Sequence, residues 1–392
     1  MNLGRTVLAQ LMDYLDADRF ERIVRPHEKS RRSYRFTCRE QFLCMVFAQL
    51  TSRESLRDIE TCLRTFQGAL YHSGLRSTVS RSTLAHANEH RSWEIFRAIA
   101  LELIARARSL YADERFVREI DAAVYALDAT IIDLCLKLCP WARANNYVAT
   151  NAGIKLHTQF NVQAHLPVFA RVSEANVNDV HFLDELAFEP GAFYVVDRGF
   201  LDFARLYKID QAGAFFVIRA RRGLRFLRVN SQPVEKASGL IADQSIRLLV
   251  KRSVEGYPDL LRRIRYTDLQ QQRSFVFLTN NALVEAFTIC ELYRSRWQVE
   301  LFFKWMKQHL RIKTFYGTSR NAVYTQIWIA LATFVLVAIV KKELKLDHSL
   351  YTILQILSLT LFEKTPIYQA LTQTQLPEEH LHDPNQLPLF TL

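Results

Sequence analysis

The chain has 392 residues, 49% of them hydrophobic, with only 11 Gly and 10 Pro. This composition excludes a collagen, a disordered regulator and a loop-rich disulfide scaffold, and the length suggests two or three domains. The 51 Lys and Arg exceed the 40 Asp and Glu, for a net charge of +11, and 38 of the 51 are Arg. Because guanidinium groups match phosphate oxygens, we expect a polyanionic partner, either nucleic acid or an acidic membrane surface.

The first 115 residues are predicted to be helical, because apolar residues recur at intervals of three and four. After Gly74, the segment from Ser80 is typical of a capped helix following a short turn. This predicts a helix-turn-helix or ordinary helix packing. A basic cluster in the same region would contact DNA or form a solvated loop; its members are Arg25, Lys29, Arg31, Arg32 and Arg35.

The six cysteines form no Cys-x-x-Cys pair, and no apolar signal-peptide core precedes Arg5. We therefore predict a cytoplasmic protein with reduced thiols. Cys135 and Cys139 would be buried small hydrophobes or part of a zinc site. His86 and His90, four residues apart, would lie on a polar helix face or chelate a metal.

From about residue 116 the pattern changes to short apolar runs typical of strands. One run, Val124–Leu127, is followed by Asp128, and another, 192–196, by Asp197. A carboxylate at the carboxyl end of a buried strand points into the crevice where such sheets carry their sites. Further strands are expected at 154–162 and 168–172, and a helix at 201–208.

A basic, β-rich stretch follows, at about 211–283. Between 211 and 280 it carries 13 basic and five acidic residues, so most of the net charge lies there. The densest part contains Arg219, Arg221, Arg222 and Arg225. The stretch would be a solvated β surface or a surface that contacts phosphates, and we favour the second.

A long helix is predicted from about 283 to 312. Four of its residues fall on one stripe about 60° wide at 100° per residue: Tyr293, Arg296, Glu300 and Lys307. Such a stripe would be a solvated salt-bridging face or a site for phosphates. Residues 322–340 hold no charge, which predicts a membrane span or a helix buried in a large core.

Together, Asp128, Asp197 and Glu300 would form a three-carboxylate cluster. Three like charges in proximity are costly, and a hard divalent cation such as Mg²⁺ neutralises them while retaining water and substrate phosphates as ligands. Two such ions can stabilise the attacking and leaving oxygens of an in-line phosphoryl transfer.

These residues match a known family. Tyr293-x2-Arg296-x3-Glu300-x6-Lys307 resembles the Tyr-Arg-Glu-Lys motif of bacterial insertion-sequence transposases of the DDE type. Segments 195–200 and 127–130 resemble the family's sequences around its second and first Asp, and 153–157 a strand after the first. The resemblance covers roughly 120–345, and more loosely the N-terminal helices.

The resemblance implies an α/β protein with an RNase H-like catalytic core that carries a β-rich insertion. The implied division is a helical DNA-binding domain (1–115), the catalytic domain (116–345) with its insertion at 211–283, and a C-terminal helix and polar tail (346–392). It also implies cut-and-paste transposition by a homodimer on paired terminal inverted repeats, with joining to target DNA.

In the roles that the resemblance implies, Asp128, Asp197 and Glu300 hold Mg²⁺, or Mn²⁺ in its place. Tyr293, Arg296 and Lys307 grip phosphates of the element end. Arg198 and the arginines of the insertion are also expected to contact DNA.

The tail segment Gln386-Leu-Pro-Leu389-Phe390 resembles the peptide by which bacterial polymerases dock on the replication sliding clamp. Packing of these apolar residues on the protein's own core is the alternative. For the whole chain, two other functions stay open: a non-catalytic DNA-binding regulator derived from a transposase, and a membrane-anchored protein.

Overall fold

The N-terminal part of the chain is helical, as predicted. A computed structural model describes residues 4–27, 36–112, 122–142, 152–268, 272–309 and 315–372. Its first helices are α1 (Val7–Met12), α2 (Ala17–Val24), α3 (Cys38–Leu50), α4 (Leu56–Thr65), α5 (Gln67–Leu70), α6 (Arg81–His90) and α7 (Trp93–Leu110). Ser80 caps α6 by accepting from the Thr83 N–H, as the sequence predicts.

One nine-stranded sheet follows in the described part of the chain. Its strands are β1 (Val124–Leu134), β2 (Ala152–Asn161), β3 (Leu166–Glu174), β4 (Phe193–Val196), β5 (Phe215–Arg219), β6 (Phe226–Gln232), β7 (Leu240–Leu248), β8 (Leu261–Asp268) and β9 (Arg273–Thr279). The spatial order is β3-β2-β1-β4-β5-β9-β8-β7-β6. The pairs β1–β4 and β4–β5 are parallel, and the other pairs are antiparallel.

Two strand predictions need correction. The strand before Asp128 does not end there: β1 continues to Leu134 because it keeps pairing with β2, whereas its pairing with β4 stops at Leu127. The implied insertion at 211–283 also begins too early. Its first strand, β5, pairs in parallel with β4 and so belongs to the core of the sheet. The remaining strands, β6 to β9, extend the same sheet beyond β5.

The predicted helix at 283–312 is two helices, α10 (Ala286–Ser295) and α11 (Trp297–His309). At the joint the Arg296 N–H donates to the Tyr293 carbonyl oxygen at 3.2 Å, and the Val299 N–H donates to the Arg296 carbonyl oxygen at 3.1 Å. These three-residue spacings tighten the turn. The remaining helices are α8 (Phe203–Gln211), α9 (Lys251–Gly256), α12 (Arg320–Glu343), α13 (Leu350–Thr360) and α14 (Ile367–Thr372).

Helix α12, which contains the uncharged stretch 322–340, lies at the centre of the core. Every residue from Ala322 to Val340 is buried, and α12 packs against α7, α3, α6 and α13. Among the described helices, α12 alone is long and apolar enough to cross a membrane by length and composition, and its most apolar window lies wholly inside the protein.

Alternate residues of β1 face two different hydrophobic clusters. Val124 and Ala126 belong to the cluster that includes α12 and the N-terminal helices, whereas Tyr125 and Leu127 belong to a smaller one on the opposite face. Since side chains alternate along a strand, Asp128 lies on the face of Ala126, the face on which α11 packs.

Candidate active site

Two aspartates lie next to each other where the parallel pairing of β1 with β4 ends. Leu127 and Val196 form the last parallel pair between β1 and β4, and Asp128 and Asp197 directly follow them in the chain. Val195 shares the cluster of Ala126, so alternation puts both carboxylates on the face covered by α10 and α11. The predicted convergence of these two acids is therefore present.

Arg296, at the joint between α10 and α11, connects the third acid to the first. Its Nη1 donates to Asp128 Oδ2 at 2.8 Å, and its Nη2 donates to Glu300 Oε1 at 2.5 Å. The Arg296 side chain is 13% exposed, and its buried Nε has no hydrogen-bond partner among the described atoms. One guanidinium thus holds two carboxylates at short range.

Tyr293 reaches the remaining acid. Its hydroxyl donates to Asp197 Oδ1 at 2.9 Å, and its ring packs on Phe277 with centroids 4.6 Å apart. The Arg296 guanidinium lies 5.8 Å from the centre of the same ring. Of the predicted stripe, Tyr293, Arg296 and Glu300 therefore form one network with both aspartates.

The two aspartates differ in acidity. The pKa of Asp128 is raised to about 6, mainly by burial and also by the charges of Glu300 and Asp197, whereas Arg296 and the Ala129 N–H oppose this rise. Burial also acts to raise the pKa of Asp197, but hydrogen bonds from the Arg198 N–H and Tyr293, with nearby arginines, leave it below its usual value. Burial, then the Asp197 charge, raises the pKa of Tyr293 to about 12.

The donor chemistry suits a hard divalent cation. Asp128, Asp197 and Glu300 offer only carboxylate oxygens, the ligands that Mg²⁺ prefers. Burial is the main cause of the raised pKa of Asp128, and a bound cation would favour the ionised form of this poorly solvated carboxylate. Among the described residues, no three His, Cys, Asp or Glu side chains are close enough together to bind one metal ion, and Arg296 lies between Asp128 and Glu300. Cys135, which is exposed, and the stacked rings of His86 and His90 also belong to no such group of described metal ligands.

Comparison with known proteins decides the family. A family profile described as the transposase DDE domain matches residues 120–336. A protein of Sinorhizobium fredii named as a transposase, y4zB, is 31% identical over 288 residues, covering 72% of this chain and 78% of its own length. The chain belongs to the DDE transposase family.

Further relatives agree with this assignment. A transposase of the insertion sequence element IS5377 from Geobacillus stearothermophilus is 26% identical over 84% of each chain.

Residues 3–76 match a second family, described as a domain of unknown function (DUF4372). A solved synaptic complex of the piggyBac transposase with hairpin DNA aligns with 95% of this chain and 82% of its own, at 10% identity and a TM-score of 0.47. This similarity is too low to transfer properties. The family profile and the two transposase relatives identify the chain as a DNA transposase of the bacterial insertion-sequence type.

Of the other residues predicted to contact DNA, some lie next to the carboxylates and some lie on the exposed surface. Arg219 ends β5, 4.9 Å from the centre of the Phe275 ring, and is near enough to Asp197 to lower its pKa. Arg198 is half-buried directly after Asp197. Lys307 is half-buried on α11. Arg221, Arg222 and Arg225 are exposed between β5 and the start of β6.

Two groups of predicted residues cannot be placed. The tail residues Gln386, Leu389 and Phe390 lie outside the described part of the transposase. So do Lys29 to Arg35 of the N-terminal basic cluster, whereas Arg25 is exposed.

One residue of the site was not singled out by the sequence. Thr158 of β2 is the register partner of Asp128 and is fully buried. Thr158 lies two positions from both Leu156 and Phe160, which are buried in the core, so it shares their face of β2. Its partner on β1 was not predictable, because 17 residues separate β1 from β2 and their sequence gives no signal for the register.

Proposed function

We propose that this transposase cuts and joins the ends of its insertion sequence by metal-dependent phosphoryl transfer at Asp128, Asp197 and Glu300. The observation that carries the proposal is the single network in which Arg296 and Tyr293 hold all three carboxylates. The two aspartates come from strands 69 residues apart in the chain, and the glutamate from a helix.

The proposed fold of the catalytic part is an RNase H-like core. Antiparallel β3-β2-β1, continued by parallel β4 and β5, supports this assignment. In the proposed division, residues 1–115 form a DNA-binding domain, 116–345 the catalytic domain and 346–392 the C-terminal part.

Asp128, Asp197 and Glu300 would hold Mg²⁺, or Mn²⁺. Bound there, the cation would activate a water for attack and neutralise charge that develops on the scissile phosphate. The protein's own residues bind and orient the DNA. Arg296 and Tyr293 donate to carboxylates now, and the same donors are suited to phosphate oxygens of the element end. Lys307 is proposed to add a third phosphate contact.

The proposed DNA partners are the terminal inverted repeats and the target duplex, bound by a homodimer in the bacterial cytoplasm. Arg198 and Arg219 adjoin the carboxylates and would contact phosphates near the cleaved bond. Arg221, Arg222 and Arg225 are exposed and would bind phosphates farther away.

We also propose that Gln386, Leu389 and Phe390 dock on the replication sliding clamp. A synthetic peptide of residues 381–392 should bind the host clamp, and a peptide with Gln386→Ala and Phe390→Ala should not. Equal or absent binding of both peptides would refute clamp docking and leave the catalytic proposal unaffected.

The catalytic proposal is tested with near-isosteric neutral variants. Asp128→Asn, Asp197→Asn and Glu300→Gln should each abolish cleavage of a duplex that carries the element end, with Mg²⁺ present. Binding of that duplex, measured by gel shift, should remain close to wild type. The metal-bound carboxylates act on the transition state more than on duplex binding.

Asp133→Asn is the matched control, because Asp133 is an exposed acid of the same strand as Asp128. It should cut like the wild type. Cleavage by any one of the three active-site variants would remove that residue from the site. Binding without cleavage by the wild-type protein would instead favour the non-catalytic regulator.

A further inference from the structure

A buried hydroxyl group faces the proposed active site without a partner. Thr158 has no exposed surface, and its Oγ1 makes no hydrogen bond among the described residues. Leu156 and Phe160, its neighbours on the same face of β2, are buried hydrophobics, and Phe160 packs on Phe302 of α11 at 5.2 Å. Thr158 thus lies on the sheet face covered by α11, between two apolar neighbours of β2.

The register places this hydroxyl beside Asp128. The two residues are direct partners across the antiparallel β1–β2 pair, where opposed Cβ atoms lie about 5 Å apart. Asp128 is already engaged, because Oδ1 accepts from the Ala129 N–H and Oδ2 accepts from Arg296. A buried hydroxyl without a partner is unfavourable, so its retention beside a carboxylate needs an explanation.

We infer that Thr158 is a positioning residue for Asp128. When Arg296 turns from Asp128 to a DNA phosphate, the carboxylate loses one of its two donors. The Thr158 hydroxyl then donates to the carboxylate and keeps it oriented for the cation. This inference rests on the proposed function, since it assigns Thr158 to the same site.

The test compares three substitutions in the full chain bound to element-end DNA. Thr158→Val removes the hydroxyl and keeps the branched shape, whereas Thr158→Ser keeps the hydroxyl. Thr325→Val is the matched control, because Thr325 of α12 is also fully buried with an unpartnered Oγ1. The readouts are Mn²⁺ affinity by electron paramagnetic resonance titration and the cleavage rate, both with DNA, and the melting temperature of the protein without DNA.

Thr158→Val should weaken Mn²⁺ binding and slow cleavage, each by about tenfold, as expected for one lost hydrogen bond to a charged group. Its melting temperature should not fall, because the hydroxyl that is removed has no partner in the free protein. Thr158→Ser should retain wild-type Mn²⁺ affinity. Thr325→Val should match the wild type in Mn²⁺ affinity and cleavage.

Two results separate this inference from the proposed function. If Asp128→Asn is inactive but Thr158→Val binds Mn²⁺ and cuts like Thr325→Val, the role of Thr158 is refuted and the active site stands. If Asp128→Asn still cuts, the proposed function fails, and the role of Thr158 fails with it.

Discussion

The Arg296 guanidinium donates to Asp128 Oδ2 at 2.8 Å, although the two residues are 168 positions apart in the chain. Arg296 occupies the joint between α10 and α11, and Asp128 lies just beyond the parallel pairing of β1 with β4. The joint thus brings a fixed positive charge to the sheet face that carries the aspartates. In the free protein this arginine offsets part of the negative charge that a divalent cation would offset in the working enzyme.

Arg296→Gln should therefore destabilise the metal-free protein, by roughly 3 kcal/mol, because Asp128 and Glu300 lose the cation between them. Adding Mg²⁺ should raise the melting temperature of this variant more than that of the wild type. Thermal unfolding with and without Mg²⁺ measures both effects. An equal Mg²⁺ response of the two proteins would show that Arg296 does not stand in for a cation.

Tyr293→Phe should raise the pKa of Asp197, because the tyrosine hydroxyl donates to the ionised carboxylate at 2.9 Å. The titration curve of the Asp197 carboxyl carbon, followed by NMR in the metal-free protein, should move to higher pH. Loss of this hydrogen bond should also cost about 1 kcal/mol of stability. A titration curve that superimposes on that of the wild type would argue against this coupling.

The buried His157 predicts a pH dependence of stability. Burial is the main cause that lowers the pKa of His157 to about 4, below its ordinary 6.5. Between these pH values the unfolded chain binds more protons than the folded one, so the free energy of unfolding should rise with pH across this window. The full effect, roughly 3 kcal/mol, is present above pH 6.5 and lost as the pH falls to 4.

Urea unfolding at several pH values measures this effect, with His157→Gln as the comparison. Asp128, whose pKa is raised to about 6, titrates in the same pH range and changes the free energy of unfolding with the opposite sign. Its contribution is common to both proteins and cancels in their difference, which therefore isolates His157. A difference that does not change with pH would contradict the assignment.

The exposed arginines between β5 and β6 predict a salt effect. Replacing Arg221, Arg222 and Arg225 together should flatten the slope of log affinity for end DNA against log salt by up to about 3 units, if each neutralises one phosphate. Replacing Lys208, Lys345 and Lys364, three exposed bases outside the basic stretch, removes the same charge elsewhere and is the control. Equal slopes for both triple variants would mean that the first three arginines are only solvated.

Local patterns predicted much of this molecule. The apolar runs before Asp128 and Asp197 located two strands, and the spacing of Tyr293, Arg296 and Glu300 placed them on one side of a helical segment. The break at Arg296 was not predicted, because both sides of it have helical periodicity and no Gly or Pro marks the joint.

Relationships between distant segments were beyond the sequence. The spacing of Arg296 and Glu300 allowed an ion pair along one helix, but the bond from Arg296 to Asp128 depends on how α10 and α11 pack on the sheet. In the same way, Thr158 became part of the site only through the β1–β2 register. The continuation of β1 past Asp128 also depends on that pairing.

The proposed role of Asp128, Asp197 and Glu300 is to hold, together, the metal ion that serves DNA cleavage. Its most direct test is iron-mediated cleavage of the protein bound to end DNA, in which Fe²⁺ replaces Mg²⁺ and, with ascorbate and peroxide, generates radicals that cut the nearby polypeptide. We predict fragments that end near residues 128, 197 and 300, suppressed by excess Mg²⁺ and absent in Asp197→Asn. Cuts confined to other segments, or unchanged cuts in Asp197→Asn, would contradict this role.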